Sequence, residues 1–173
     1  MIAKILVVDD EKMLRERLKG LLELEEYEVF LAESGREALE VLRDKKPEIV
    51  VTDIRMPGMD GIELLDKIKA LSADTEVIML TGHGDMESVV FALRKGAFDY
   101  MPKPLNFDEL CIAIQRALAL SKQRQKLVGV EKLIAIAAQL ETFLMDETVS
   151  QNPLLKAKII EIKDQLTGLG NRS

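Results

Sequence analysis

Five polar residues stand where short apolar runs end: Asp9, Asp10, Asp53, Thr81 and Lys103. The run Ile49-Val50-Val51 delivers Asp53 to the start of a loop bearing Pro57 and Gly58, and Ile5-Leu6-Val7-Val8 ends in Asp9-Asp10. Apolar runs of this length read as buried parallel strands. A carboxylate at the end of such a strand stands at the rim of the sheet, where open α/β folds hold their ligands. Taken singly, each residue has an ordinary role. Asp53 caps a turn, Asp9 and Asp10 cap a helix, Thr81 belongs to a turn, and Lys103 is solvated surface. Coincidence at all four strand ends is much less expected than any one of these.

Three carboxylates brought together repel one another strongly at low dielectric. A hard divalent cation resolves the conflict, because Mg2+ prefers oxygen ligands and takes only one or two protein carboxylates. A third carboxylate is then left as a nucleophile toward a phosphoryl group. Transfer of that group needs charge stabilisation on its equatorial oxygens. Thr81 offers a hydroxyl for this and Lys103 an ammonium, in Met101-Pro102-Lys103-Pro104. The prolines on either side stiffen the backbone of Lys103, and the Lys103-Pro104 bond is one that can be cis.

The elements needed to position these groups follow from the apolar pattern. Strands are expected at 3–8, 27–32, 48–52, 76–80 and 97–101. Helices are expected at 11–25 (Met13, Leu14, Leu18, Leu21 and Leu22 at helical spacing), after the N-cap Ser34, at 61–70 after Asp60, at 85–95 with Gly96 as a left-handed stop, and from near Asn106. Five strand-then-helix repeats imply a parallel sheet with helices on both faces. The flavodoxin-like, doubly wound order 2-1-3-4-5 sets strands one and three side by side, so that Asp9, Asp10 and Asp53 converge. Periodicity does not supply that order; it is an assumption at this step.

Composition bounds the rest. The chain of 173 residues allows one ordinary domain plus an appendage. Its 47% hydrophobic and 31% charged residues describe a globular chain. A net charge of −6 without a basic cluster argues against direct nucleic-acid contact. The single cysteine, Cys111, reads as a buried, inert thiol. The start of the chain does not read as a signal peptide and no run is long enough to span a membrane, so a cytoplasmic setting is expected.

With these motifs in place, residues 1–121 resemble the CheY-like receiver domain of two-component response regulators. The matching segments are Leu6-Val7-Val8-Asp9-Asp10, Asp53 through Gly61, Thr81-Gly82 and Met101-Pro102-Lys103-Pro104. The resemblance implies that Asp53 accepts a phosphoryl group from a sensor histidine kinase, a phosphotransfer protein or a small phosphodonor. It implies that Asp10, Asp53 and the backbone carbonyl of Arg55 bind Mg2+ directly, with Asp9 acting through a metal-bound water. Thr81 and Lys103 would hold the phosphoryl oxygens, and Tyr100 would be the aromatic that turns inward when Thr81 moves. Arg55 and His83 occupy the two positions that tune phosphoryl lifetime in the family. His83, the only histidine, is otherwise read as a loop residue.

Beyond residue 121, Lys122–Lys126 reads as a solvated helical continuation, and Val130, Leu133, Ala137, Leu140 and Leu144 recur at heptad spacing over about two heptads. Asp146–Gln151 breaks the pattern, and Asn152-Pro153 restarts a helix. The segment Asp164-Gln165-Leu166-Thr167-Gly168-Leu169-Gly170-Asn171-Arg172 is similar to the opening of GGDEF diguanylate cyclase domains; read blandly, it is a helix end with a glycine stop. The expected division is thus a receiver at 1–121, a helical linker at 122–163, and the start of an output domain at 164–173. The cyclase core motif does not occur, so this chain is not expected to cyclise GTP, and the receiver resemblance implies a phosphoacceptor, not an enzyme, with at most self-catalysed phosphorylation and dephosphorylation. Phosphorylation would control homodimerisation and, through it, a diguanylate cyclase output. The alternative is a non-catalytic helical docking or dimerisation module. An FMN-binding flavodoxin is disfavoured, because an acidic cluster without a metal would repel the cofactor's phosphate.

Overall fold

The computed structural model describes residues 2–82, 86–144 and 153–170. They fall into two units, Met1–Ser121 and Lys122–Ser173. The first unit alternates strand and helix: β1 (Lys4–Val8), α1 (Lys12–Leu24), β2 (Glu28–Ala32), α2 (Gly35–Lys45), β3 (Ile49–Asp53), α3 (Gly61–Leu71), β4 (Glu76–Thr81), α4 (Met86–Arg94) and β5 (Asp99–Pro102), then the start of α5 (Phe107–Leu144). The sheet is wholly parallel in the order β2-β1-β3-β4-β5, the flavodoxin-like order.

Alternation along each strand builds two cores, one on each face of the sheet. Leu6, Val8, Val50, Val77 and Met79 face α2, α3 and α4, packing with Ala38, Leu42, Leu64, Leu65, Ile68, Val89 and Ala92. Ile5, Val7, Val51, Ile78 and Leu80 face the other way, onto Leu18 and Leu22 of α1 and onto Leu110, Ala113, Ile114 and Ala117 of α5. With both faces covered, the central strands read as unbroken apolar runs rather than as alternation. Truncating a fully buried leucine such as Leu64 to alanine should cost about 2–5 kcal/mol.

Caps fix where the helices start. Ser34 Oγ accepts from the Glu37 amide, while Glu37 Oε2 reaches back to the Glu33 amide, a variant of the capping box. Asp60 Oδ1 accepts from the amides of Ile62 and Glu63 at 2.9 and 2.8 Å, starting α3. Gly96, at φ +96°, ends α4 in the left-handed conformation.

Four expectations need correction. Met13 does not join the apolar face of α1; it is 81% exposed, because that face is centred on Leu14, Leu18 and Leu22 and Met13 lies off its axis. On α3, where the apolar spacing points Ile62, Leu65 and Ile68 inward, Leu65 and Ile68 are buried and Ile62 packs partly buried against the core, but Leu64, absent from that set, is fully buried with them. The fifth strand is Asp99–Pro102 and not 97–101: the Ala97 amide closes the end of α4 on the Ala92 carbonyl, so the ladder begins later. Cys111 is half-buried, and burial, then the charges of Glu25 and Asp108, push its thiol above the usual cysteine value.

In the second unit, α5 continues through the exposed residues 122–129 to Leu144. Val130, Leu133, Leu140 and Leu144 are partly buried along this stretch; the side chain of Ala137 lies outside the described residues. A final helix, α6 (Pro153–Gly170), starts at Pro153 and includes Thr167–Gly170. Asn152, the Asp146–Gln151 break and Asn171-Arg172 lie outside the described residues. No helix among the described residues is long and apolar enough to cross a membrane.

Candidate acidic site at the carboxyl ends of the strands

Register places the carboxylates. β1 and β3 are neighbours, and their last pair is Val8↔Thr52, so Asp9 and Asp53 follow side by side. Asp9, Asp10 and Asp53 each offer a carboxylate oxygen, and these oxygens all lie within 4.8 Å of one another. Asp9 is fully buried, Asp53 nearly so, and Asp10 is exposed. Asp9 does not cap α1 directly. Its Oδ1 accepts from the Glu11 amide at 2.8 Å, which fixes one oxygen and turns the other inward.

Lys103 bridges the cluster from the loop after β5. Its Nζ donates to Asp9 Oδ2 at 2.9 Å and to Asp53 Oδ2 at 2.6 Å. Burial works to lower the lysine pKa, but the hydrogen bonds and charges of Asp53 and Asp9 outweigh it and hold the ammonium above the ordinary lysine value. The Lys103 amide donates to the Thr81 carbonyl at 2.7 Å, which ties this loop to the end of β4. The Lys103-Pro104 peptide is cis.

Backbone closeness sets the Asp53 loop. The Arg55 amide donates to Asp53 Oδ1 at 3.2 Å, and the Gly61 amide to the Ile54 carbonyl at 2.8 Å. A Cβ at Gly61 would stand 2.0 Å from the Asp53 carbonyl oxygen, so the turn into α3 has room only for glycine. Gly58, at φ +80°, makes the reversal possible.

The other predicted residues are less tightly gathered. Thr81 is buried, and its hydroxyl donates to the Gly82 carbonyl at 3.0 Å rather than to the acidic cluster. Tyr100 is partly buried against the α2–α3–α4 core, opposite Met79 in the ladder. The Arg55 side chain is exposed, and His83 lies outside the described residues. Arg15 is a residue that the sequence reasoning missed. It is buried on α1 in line with Leu18 and Leu22, and its Nη1 donates to the Asp9 carbonyl at 2.6 Å. A charged residue in register with an apolar stripe was the available signal.

The donor set is all oxygen and acidic, with a hard-ligand character that fits Mg2+ or a similar divalent cation and does not fit a soft metal. The comparisons with known proteins identify the family. The model of the response regulator receiver domain matches residues 5–115. The regulatory protein AtoC of Escherichia coli strain K12 is 39% identical over 138 residues, which is 80% of this chain and 30% of that protein. The DNA-binding transcriptional regulator NtrC of the same strain is 40% identical over 120 residues, covering 69% of this chain and 26% of the relative. The chain thus spans less than a third of the length of these curated relatives. Among solved structures, a receiver domain protein from Clostridium thermocellum is similar at a TM-score of 0.67 and 39% identity, covering 73% of this chain and 99% of that one. NtrX from Brucella abortus is similar at 0.70 and 39%, over 74% of this chain and 29% of that one. With its sheet order, its rim of aspartates and a family match over most of its first unit, this chain belongs to the receiver domains of two-component response regulators.

Proposed function

We propose that Asp53 is the phosphoacceptor, supplied by a sensor histidine kinase or a phosphotransfer protein. The observation that carries this reading is the bridge of Lys103 to Asp53 and Asp9 within a cluster of three carboxylates. One oxygen of Asp53 attacks phosphorus; the new O–P bond forms as the N–P bond of the donor imidazole breaks, and the imidazole leaves. Lys103 exchanges one carboxylate partner for a phosphoryl oxygen, which accepts from the same ammonium. Thr81 gives up the Gly82 carbonyl and donates to a second oxygen, and Tyr100 takes up the space released. Asp9, Asp10, Asp53 and the Arg55 carbonyl would hold Mg2+, which supplies neutralisation of the phosphoryl charge when bound. Treatment with acetyl phosphate and Mg2+ should add one phosphoryl mass to the wild type and none to Asp53→Asn; equal labelling of both would reject the assignment.

For the output we favour control of dimerisation through the helices that follow residue 121. The terminal segment supports a diguanylate cyclase as the controlled domain. The relatives favour a second reading, since by name NtrC is a DNA-binding transcriptional regulator. Assays of the full-length gene product for cyclic dinucleotide synthesis from GTP and for DNA binding separate the two. We place no nucleic acid on this chain itself, whose net charge is −6. Beryllofluoride with Mg2+ should shift the oligomeric state in light scattering; an unchanged oligomer would reject the dimerisation reading.

A further inference from the structure

We propose that Arg15 is a positioning residue for the acidic site: it fixes the peptide between Asp9 and Asp10 and so holds both carboxylates where a divalent cation needs them. This rests on the metal reading given above. Arg15 is only 8% exposed. A guanidinium cannot shed its charge, so burial obliges it to find partners. Its Nη2 lies 3.6 Å from the carboxylate of Glu33, but that side chain is 73% exposed, and such a pair couples weakly. The short contact is from Nη1 to the Asp9 carbonyl, at 2.6 Å. That carbonyl stands beyond Val8↔Thr52, the last β1–β3 pair.

A peptide is planar, so fixing its oxygen fixes the direction in which both flanking residues leave it. Asp9 is further held at its carboxylate, by the Glu11 amide and by Lys103. Asp10 is exposed and depends more heavily on the orientation of that plane. Arg15 therefore has two opposed effects on a bound cation. Its positive charge repels the ion, whereas the fixed plane presets the ligands. Removing the side chain tightens Mg2+ binding if charge dominates and weakens it if positioning dominates, so the sign decides between them.

The test is calorimetric titration of Mg2+ into the full chain, comparing wild type with Arg15→Met, Arg15→Gln, Arg15→Lys and Glu33→Gln, with metal-free thermal unfolding to set a temperature at which each is folded. Residues that orient metal ligands are typically worth 10–100-fold in affinity, so Arg15→Met and Arg15→Gln should bind Mg2+ roughly tenfold more weakly. Arg15→Lys should recover part of the loss, and Glu33→Gln should match the wild type. If Arg15→Gln does not fold, Arg15→Met decides the outcome, since its side chain brings no polar group of its own into the interior. Folded Arg15→Met that binds as tightly as the wild type, or more tightly, overturns this inference alone. A wild type that takes up no Mg2+ overturns the metal reading and this inference with it.

Discussion

The two ends of the sheet each bury a carboxylate beside a lysine, and they do so in different ways. At the amino end, Glu76 pairs with Lys69 at 3.1 Å, and the same ammonium donates to the Thr75 carbonyl at 2.9 Å. The Thr75 hydroxyl donates to the Pro47 carbonyl at 3.0 Å and lies 2.9 Å from that of Ser72, closing the network. At the carboxyl end, the ammonium of Lys103 serves two carboxylates, with a third within reach of both. One cation per anion makes a joint. Three carboxylates gathered within 4.8 Å, with one ammonium bridging two of them, make a place where a further cation is wanted. The ratio of charges, more than the burial of either lysine, separates a structural polar cluster from a candidate cation site.

That contrast can be broken by substitution. The largest effect belongs to Asp53→Asn, which should abolish phosphoryl acceptance, measured by mass, while Glu76→Gln in a folded protein leaves it intact. Lys103→Met should slow phosphorylation by acetyl phosphate by about 10²–10³-fold, the usual cost of losing one donor to developing charge; a rate within twofold of wild type would deny Lys103 a role. Lys69→Met should do the reverse, sparing phosphorylation but lowering stability to urea by about 3 kcal/mol, since it removes the ammonium paired with the buried Glu76 carboxylate. The pH dependence sharpens the comparison further. The Lys103 pKa is raised in the folded chain above its unfolded value near 10.5, so its stabilisation is complete below that pH and is lost as pH rises through the folded value. Lys103→Met should therefore flatten the alkaline limb of the stability profile and leave the neutral-to-mildly-alkaline slope alone. The smallest expected effect is at Ser34→Ala, about 0.5–1 kcal/mol for a cap at 3.3 Å remote from both clusters.

Much of the fold and the site was legible from the residues alone, because strands buried on both faces announce themselves as apolar runs and their last residues mark the rim. Asp9, Asp53 and Lys103 could be named in that way, although Asp9 and Lys103 lie 94 residues apart. What stayed hidden was whatever depends on a partner elsewhere in the chain. Arg15 looks like any helical arginine until the Asp9 carbonyl is seen above it, and nothing local says that the Thr81 hydroxyl bonds its own neighbour's carbonyl. Met13 was misplaced and Leu64 left out for a simpler reason: a helical stripe fixes a direction only to within one residue, and leucine and methionine occur on both sides of that margin.

The seat of Gly61 against the Asp53 carbonyl has a consequence of its own. A single added methyl there would have to displace either the tip of β3 or the first turn of α3. If Asp53 is the phosphoacceptor proposed above, its reach toward phosphorus is governed by the smallest side chain in the protein. Volume, without any charge or functional group, becomes a means of detuning the switch.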